Sequence, residues 1–292
     1  MQAFREREPT VLSLLVVMLL LMPIAETYGQ SKHDLHIQTM PAVKDDFSLQ
    51  PPRDLSTLAP KQVWFTDYIS YLTQEDLSPT SVALRNLKGD SLGVSISRAS
   101  WCRAAVEGTV TVVLATHQRR HFNFETLANK PLTNCSDVLM GYTPSQIRSF
   151  ERTLFSELPH NAPFGTGVKA VNSDDTYRLI PGRSVAIDMS RRSAFRVGDV
   201  LYVPELRKLM FTLQDGRSVH HDGYVMAVDN VGTCGDNLAD DCNGNRLDYF
   251  KGEDTSDVLP AALESSPQHT LVAYIVTDPA IITKLRSEHL RH

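Results

Sequence analysis

Three aspartates in the second half of the chain end or interrupt short apolar runs. Asp188 closes Ala-Ile-Asp, Asp229 closes Tyr-Val-Met-Ala-Val-Asp, and Asp248 sits inside Arg-Leu-Asp-Tyr-Phe. Successive side chains of a strand face opposite ways. Tyr224, Met226 and Val228 are therefore expected on one face, with Val225, Ala227 and Asp229 on the other. A carboxylate pointing the way of small apolar residues is partly buried, and burial is costly unless it has a hydrogen-bond donor or a function. One Asp at a strand end is ordinarily a turn residue; three in this arrangement mark a candidate site.

Other chemistries have weaker support. No G-x-S-x-G elbow is present to carry an acyl-transfer nucleophile. His220 and His221 are adjacent, so a strand would send them to opposite faces, and the turn Asp222-Gly223 beside them accounts for both. Asp236, Asn237, Asp240, Asp241, Asn243 and Asn245 supply many oxygens for calcium. Read as an EF-hand from Asp241, however, position six is Arg246 instead of Gly and position twelve is Gly252 instead of Glu. A solvated loop is the better reading, and no metal site is assigned. Trp64 and Trp101 have rings suited to stacking on sugars, although buried aromatics are commoner than sugar platforms.

The elements that must position the aspartates are mostly strands. β-Rich runs cover Val63–Ile69, Gly108–Ala115, Ser184–Asp188, Val200–Val203, Leu209–Leu213, Tyr224–Asp229 and Thr270–Thr277. Turn signals such as Pro181-Gly182, Asp215-Gly216 and Asp222-Gly223 separate them. The pattern argues for an all-β barrel or sandwich with a few peripheral helices. One predicted helix starts at the cap Thr143, with Pro144 in its first turn and Gln146 placed for a capping box. Ile147, Phe150, Leu154, Phe155 and Leu158 would form its packed stripe. A second helix is predicted over Pro279 to Leu290. Between them, the Gly- and Pro-containing stretch His160 to Gly167 could rim a cleft.

The chain has 292 residues, 42% hydrophobic and 22% charged, which excludes disordered, fibrous and multi-span membrane classes. Its net charge is −5 with scattered Lys and Arg, so nucleic acid is not an expected partner. Arg5 and Arg7 precede a fifteen-residue apolar run from Val11 to Ala25. That length suits a secretory signal, since a bilayer span needs roughly 20 residues. Residues 1–29 are thus expected to be a signal peptide that exports the chain to the periplasm or envelope. Loose membrane association is expected only if that segment stays uncleaved. Residues 30–60, rich in Pro and polar residues, read as a linker, and 61–292 as one domain. In an oxidising compartment four cysteines suggest two bridges. Cys234 and Cys242 bracket a polar loop and would pair, leaving Cys102 with Cys135. Proximity favours this connectivity, one of three that four cysteines allow.

The segments Ser184-Val-Ala-Ile-Asp188, Val197 to Glu205, His221-Asp-Gly-Tyr-Val-Met-Ala-Val-Asp229 and Gly244-Asn-Arg-Leu-Asp248-Tyr-Phe resemble a known family. They are similar to the three-aspartate domain shared by membrane-bound lytic transglycosylase A and its smaller relatives. The match covers residues 184–252 and extends more loosely to Phe65-Thr66-Asp67-Tyr68. The resemblance implies a double-psi β-barrel and action on peptidoglycan glycan strands, with no cofactor. It implies Asp248 as the single general acid/base, Asp229 beside it in the cleft, and Thr66 close to the catalytic carboxyl, with Asp188 the first aspartate of the set. Between the second and third aspartates the family runs through a short Gly-Gly-Ala-Ile-Lys-Gly-like segment. Here Asn230 to Asn245 is longer and more acidic, and only Gly232, Gly244 and Asn245 echo the pattern. Such a loop could reshape or block the glycan groove. A non-catalytic peptidoglycan-binding or envelope-scaffold protein on the same barrel is therefore the competing expectation.

Overall fold

The computed structural model describes residues 47–159, 163–170, 175–189, 193–212, 218–231, 245–254 and 258–290. The predicted signal segment, most of the predicted linker, and Cys234 and Cys242 lie outside them. The fold is mostly β, and its organising element is β1 (Pro60–Gln74), fifteen residues rich in aromatic and β-branched side chains. At about 3.3 Å per residue it is long enough to pair with three other strands along its length. Strands β2 (Val82–Arg85) and β3 (Ser91–Ile96) form a hairpin. Helix α1 (Arg98–Glu107) follows, capped by the Ser97 hydroxyl and ended by Gly108 at φ 75°. That left-handed conformation is the ordinary helix stop and is easiest for glycine.

Next come β4 (Thr109–Val113), β5 (Arg119–Leu127), helix α2 (Pro144–Phe150) and β6 (Thr153–Glu157). The Thr143–Gln146 capping box forms as expected. The predicted apolar stripe does not stay helical, because the helix stops at Phe150 and Leu154 and Phe155 belong to β6. Pairing decides this. Phe155 sits opposite Phe124 on β5, and its side chain enters a core that a continued helix would not reach.

The hairpin β7 (Thr166–Lys169) and β8 (Thr176–Arg178) is followed by β9 (Ser184–Ile187) and β10 (Val200–Tyr202). A second small hairpin holds β11 (Met210–Thr212) and β12 (Ser218–His220). Then come β13 (Tyr224–Asn230), β14 (Arg246–Asp254), β15 (Leu271–Ile275) and helix α3 (Pro279–Leu290), the last as predicted. All seven β-rich runs read from the sequence contain strands.

The largest sheet has the order β14-β9-β13-β10-β15-β1-β4-β5-β6, and β14 also pairs with β1. Six strands therefore pair in a cycle: β1, β14, β9, β13, β10, β15 and back to β1. Each contributes to one core: Val63 and Phe65 from β1, Val185 and Ile187 from β9, Leu201 from β10, Val225 and Ala227 from β13, Leu247 and Tyr249 from β14, Ala273 from β15. A second core, including Tyr224, Met226, Val228 and Phe250, lies on the other face of these strands beneath α3 and the β7–β8 hairpin.

The last four residues of β1, Tyr71 to Gln74, pair with β4, while β14 stays paired with β1 as far as Tyr71. From there β4, β5, β6, the β2–β3 hairpin and α1 build a third core around Trp101, Phe122 and Phe155. Trp101 is fully buried there, edge-on to Phe155, so it is a packing residue. The expected Cys102–Cys135 disulfide ties α1 to the loop before α2, with 5.6 Å between its Cα atoms. Within the stretch read as linker, Phe47 is buried against His221 and over the Arg183 guanidinium. Leu49 N–H donates to Asp222 and Tyr224 donates to the Gln50 carbonyl. A proline-rich composition hides this docking because its partners lie far along the chain, those of Leu49 and Gln50 at separations of 173 and 174.

Candidate functional site

Register assembles the site. Thr66 of β1 pairs with Asp248 of β14, Asp248 pairs with Ala186 of β9, and Ala186 pairs with Asp229 of β13. Residues in register on neighbouring strands share a face. Ala186 lies between Val185 and Ile187, and Asp248 between Leu247 and Tyr249, all four of them in the first core, so this row faces away from that core. The two aspartates are two strands apart, about 10 Å at the usual strand spacing, with Ala186 as the in-register residue between them.

Asp229 reaches this row by an irregularity. Simple alternation places it with Ala227, on the inner face. The register shifts between Ala227 and Asp229, so Asp229 falls opposite Ala186 instead of Ile187. The extra residue, Val228, is a β-bulge that turns the carboxylate to the outer face. Gly167 of β7 abuts the same point: a Cβ there would lie 2.1 Å from the Val228 carbonyl oxygen and 3.2 Å from the Asp229 Cβ.

The neighbouring rows on the same face continue the pattern. Trp64 pairs with Arg246 on one side of the Thr66–Asp248 row, and Tyr68 with Phe250 on the other. The Arg246 guanidinium sits 5.6 Å from the centre of the Trp64 ring, and the Tyr68 and Phe250 rings are 5.0 Å apart. The Trp64 indole N–H is buried and finds no acceptor among the described residues.

Asp248 is 9% exposed and heavily engaged. The Thr66 hydroxyl donates to Oδ1. Arg246 Nε donates to the same oxygen at 2.6 Å and Nη2 to Oδ2 at 3.1 Å, while Nε also lies 3.0 Å from Thr66 Oγ1. Burial pushes the Asp248 carboxyl up from the ordinary value; the Arg246 charge and the Thr66 and Arg246 hydrogen bonds oppose it, and Asp67 adds to the rise. Burial likewise pushes Asp229 up to about 6, against the Asn230 N–H, with Asp248 adding a like charge. The Tyr68 hydroxyl is pushed up chiefly by burial and then by Asp229, and its nearest partner is Thr109 Oγ1 at 3.4 Å. Burial thus raises the proton affinity of both carboxyls in the row, that of Asp248 against the opposing pull of Arg246 and Thr66.

The remaining sequence candidates sit around this row. Asp188 is buried directly after Ile187, the partner of Leu247. Asn245 contributes its carbonyl, which accepts from Trp64 N–H at 3.2 Å. Among the described residues no cluster of three or more His, Cys, Asp or Glu is arranged to hold a metal. Sequence reasoning passed over Arg246 and Tyr68. Their i,i+2 and i+2 spacing from Asp248 and Thr66 is the signal that could have found them, since it puts each pair on one strand face. A cavity of about 230 Å³ lined by Ile69, Tyr71, Glu107 and Tyr142 lies toward the third core and is not lined by Asp248.

No family profile matches the chain, and no curated protein matches it. Among solved structures it is similar to lytic transglycosylases, including the following three. The Burkholderia pseudomallei enzyme LtgG shares 16% identity at a TM-score of 0.36, covering 74% of this chain and 71% of that one. Escherichia coli MltA with bound chitohexaose shares 14% at 0.42, covering 73% and 71%. A membrane-bound lytic murein transglycosylase from Agrobacterium tumefaciens shares 13% at 0.40, covering 80% of each. The likeness to these MltA-type structures is distant and concerns the arrangement of the chain.

Proposed function

We propose that the protein is an exported peptidoglycan lytic transglycosylase that cleaves the β-1,4 bond between N-acetylmuramic acid and N-acetylglucosamine. The observation that carries this reading is the row Asp229–Ala186–Asp248–Thr66. It sets one buried, hydrogen-bonded carboxyl beside a second on a single sheet face. In the reading, protonated Asp248 donates to the glycosidic oxygen as an oxocarbenium-like state develops. The carboxylate so formed takes the proton from the muramoyl 6-hydroxyl, which attacks its own anomeric carbon and closes a 1,6-anhydro ring. The sugar supplies the nucleophile, so a second carboxylate for water is not required. Burial of Asp248 favours the protonated form the first step needs. Thr66 orients the carboxyl, Asp229 adds like charge, and Asp188 and Asn245 support the adjoining strand ends.

The six-strand cycle is read as a closed double-psi β-barrel. Support comes from the double pairing of β14 and from the single core to which all six strands contribute. Residues 1–29 are proposed as a signal peptide, 30–60 as a connecting segment and 61–292 as the domain, acting in the periplasm or envelope. The Cys234–Cys242 bridge stays a proposal on sequence grounds.

The experiment is digestion of purified sacculi by wild type and Asp248→Asn, with the products read by mass spectrometry. The reading expects 1,6-anhydro ends from wild type and none from a folded Asp248→Asn protein. Reducing ends would indicate hydrolysis, and anhydro products from the variant would refute Asp248 as the acid. A second reading, a glycan-binding or envelope-scaffold protein without cleavage, is favoured by one observation: Arg246 engages both oxygens of Asp248.

A further inference from the structure

Every polar contact of Asp248 treats it as an acceptor. Oδ1 receives the Thr66 hydroxyl and Arg246 Nε, and Oδ2 receives Arg246 Nη2. A guanidinium has donors and no acceptor. A protonated Asp248 could not keep this two-pronged contact, because its O–H would face an N–H. This placement of donors on both oxygens suits a carboxylate, whereas proton donation to a glycosidic oxygen requires the acid. Arg246 must therefore leave before Asp248 can act.

The same face offers the guanidinium a second place. Trp64 is the register partner of Arg246, one row along from Thr66 and Asp248, and its ring already lies 5.6 Å from the guanidinium carbon. An aromatic face attracts a cation at such a distance. The side chain thus has two partners within reach of one backbone position, one ionic and one aromatic.

We propose that Arg246 is a positioning residue, a latch that holds Asp248 ionised and idle until their ion pair opens, and so sets the upper pH limit of the site. When the pair opens, the carboxylate takes one proton from solvent and becomes the acid. The activity half of this inference rests on the lytic transglycosylase reading above; the latch itself does not.

The other groups facing Asp248 leave Arg246 as its nearest cation. Strand β1 presents Asp67 and Tyr68, and Asp67 is paired with Lys251 at 3.1 Å. Lys251 also lies 3.3 Å from Asp254. Strand β13 presents Asp229, and β9 presents Ala186, with Asp188 two residues beyond.

Two variants test the latch. Arg246→Gln removes the charge, and Arg246→Lys keeps the charge without the fork. The carboxyl of Asp248 is followed by carbon-13 NMR against pH, assigned by comparison with Asp248→Asn. In parallel, kcat/KM for release of anhydro products from sacculi is measured against pH. In Arg246→Gln the titration midpoint and the alkaline limb should both rise by about one pH unit, which is about tenfold in the protonated fraction above the limb. Arg246→Lys should move less. A folded Arg246→Gln protein with an unmoved midpoint, or equal shifts in both variants, would overturn the latch. If Arg246→Gln does not fold, Arg246→Lys against wild type decides: an upward shift supports the latch and none refutes it. If wild type releases no product at any pH, the transglycosylase reading fails, and the carboxyl titration still decides the latch.

Discussion

Replacing Asp222 by Ala tests how the strands that carry the site are anchored. Arg183, at the entry to β9, is fully buried, and Asp222, just before β13, is 5% exposed. The two form a bidentate ion pair, with Arg183 Nη2 2.7 Å from Asp222 Oδ2. Asp222 also accepts from Leu49 N–H at 3.0 Å and Tyr224 N–H at 3.1 Å. Truncation to Ala therefore removes the carboxylate from a buried guanidinium and the acceptor from two backbone donors. The guanidinium keeps the Tyr224 carbonyl at 2.8 Å and the Phe47 ring at 4.2 Å, neither of which carries a negative charge to replace the carboxylate. Breaking one side of a buried pair costs about 3–5 kcal/mol. Against a total stability of about 5–15 kcal/mol, that is a large fraction. Urea denaturation followed by far-ultraviolet circular dichroism at pH 7 should show the loss as a lower midpoint with little change in slope. The double variant Arg183→Met/Asp222→Leu replaces both charges with apolar groups and should lose at least about 2 kcal/mol less than the two single changes together. A loss below about 1 kcal/mol for Asp222→Ala would refute the reasoning, since it would mean that water reaches the guanidinium in the folded state.

Three further outcomes follow from other parts of the structure. Cys102→Ser, or reductant added to wild type, opens a bridge between residues 33 apart and should cost about 3–4 kcal/mol, seen as a lower thermal midpoint. Asp229→Asn should stabilise the protein at pH 7 while impairing the proposed activity. The folded protein holds the Asp229 proton to about pH 6 while the unfolded chain releases it near 3.8, so stability falls as pH rises through that window. The gain should be about 1–3 kcal/mol at pH 7 and should vanish at pH 3, with denaturant midpoints at the two pH values as the check. Gly167→Ala puts a Cβ 2.1 Å from the Val228 carbonyl, so the backbone must move at the bulge that orients Asp229. A loss of about 1–3 kcal/mol is expected by calorimetry, together with reduced glycan release.

Much of the molecule is legible in local sequence because local rules suffice for it. The seven β-rich runs, the Thr143–Gln146 capping box and the Pro279–Leu290 helix follow from side-chain period and terminal residues. Alternation in Tyr224–Val228 correctly separates the residues of two cores, with Val225 and Ala227 in one and Tyr224, Met226 and Val228 in the other. It fails one residue later, because a bulge is a mismatch between two strands and has no signature in either alone. The helix expected to run past Phe150 fails for a related reason. Leu154 and Phe155 satisfy a helical stripe and a strand equally well, and only the presence of β5 beside them decides.

The amino-acid sequence by itself determined which residues carry the candidate chemistry: Asp188, Asp229, Asp248 and Thr66 stand out by context and resemblance, and Cys102 with Cys135 by proximity. Only the tertiary structure decided their relations. Pairing between strands up to 182 residues apart in the chain set Thr66 against Asp248. A one-residue bulge brought Asp229 into the same row, with Ala186 in register between the two aspartates. The fork of Arg246 on Asp248 likewise depends on where β1 and β14 meet. The physical reason is that burial and charge proximity, which set proton affinity, are sums over neighbours in space, and sequence order names few of those neighbours.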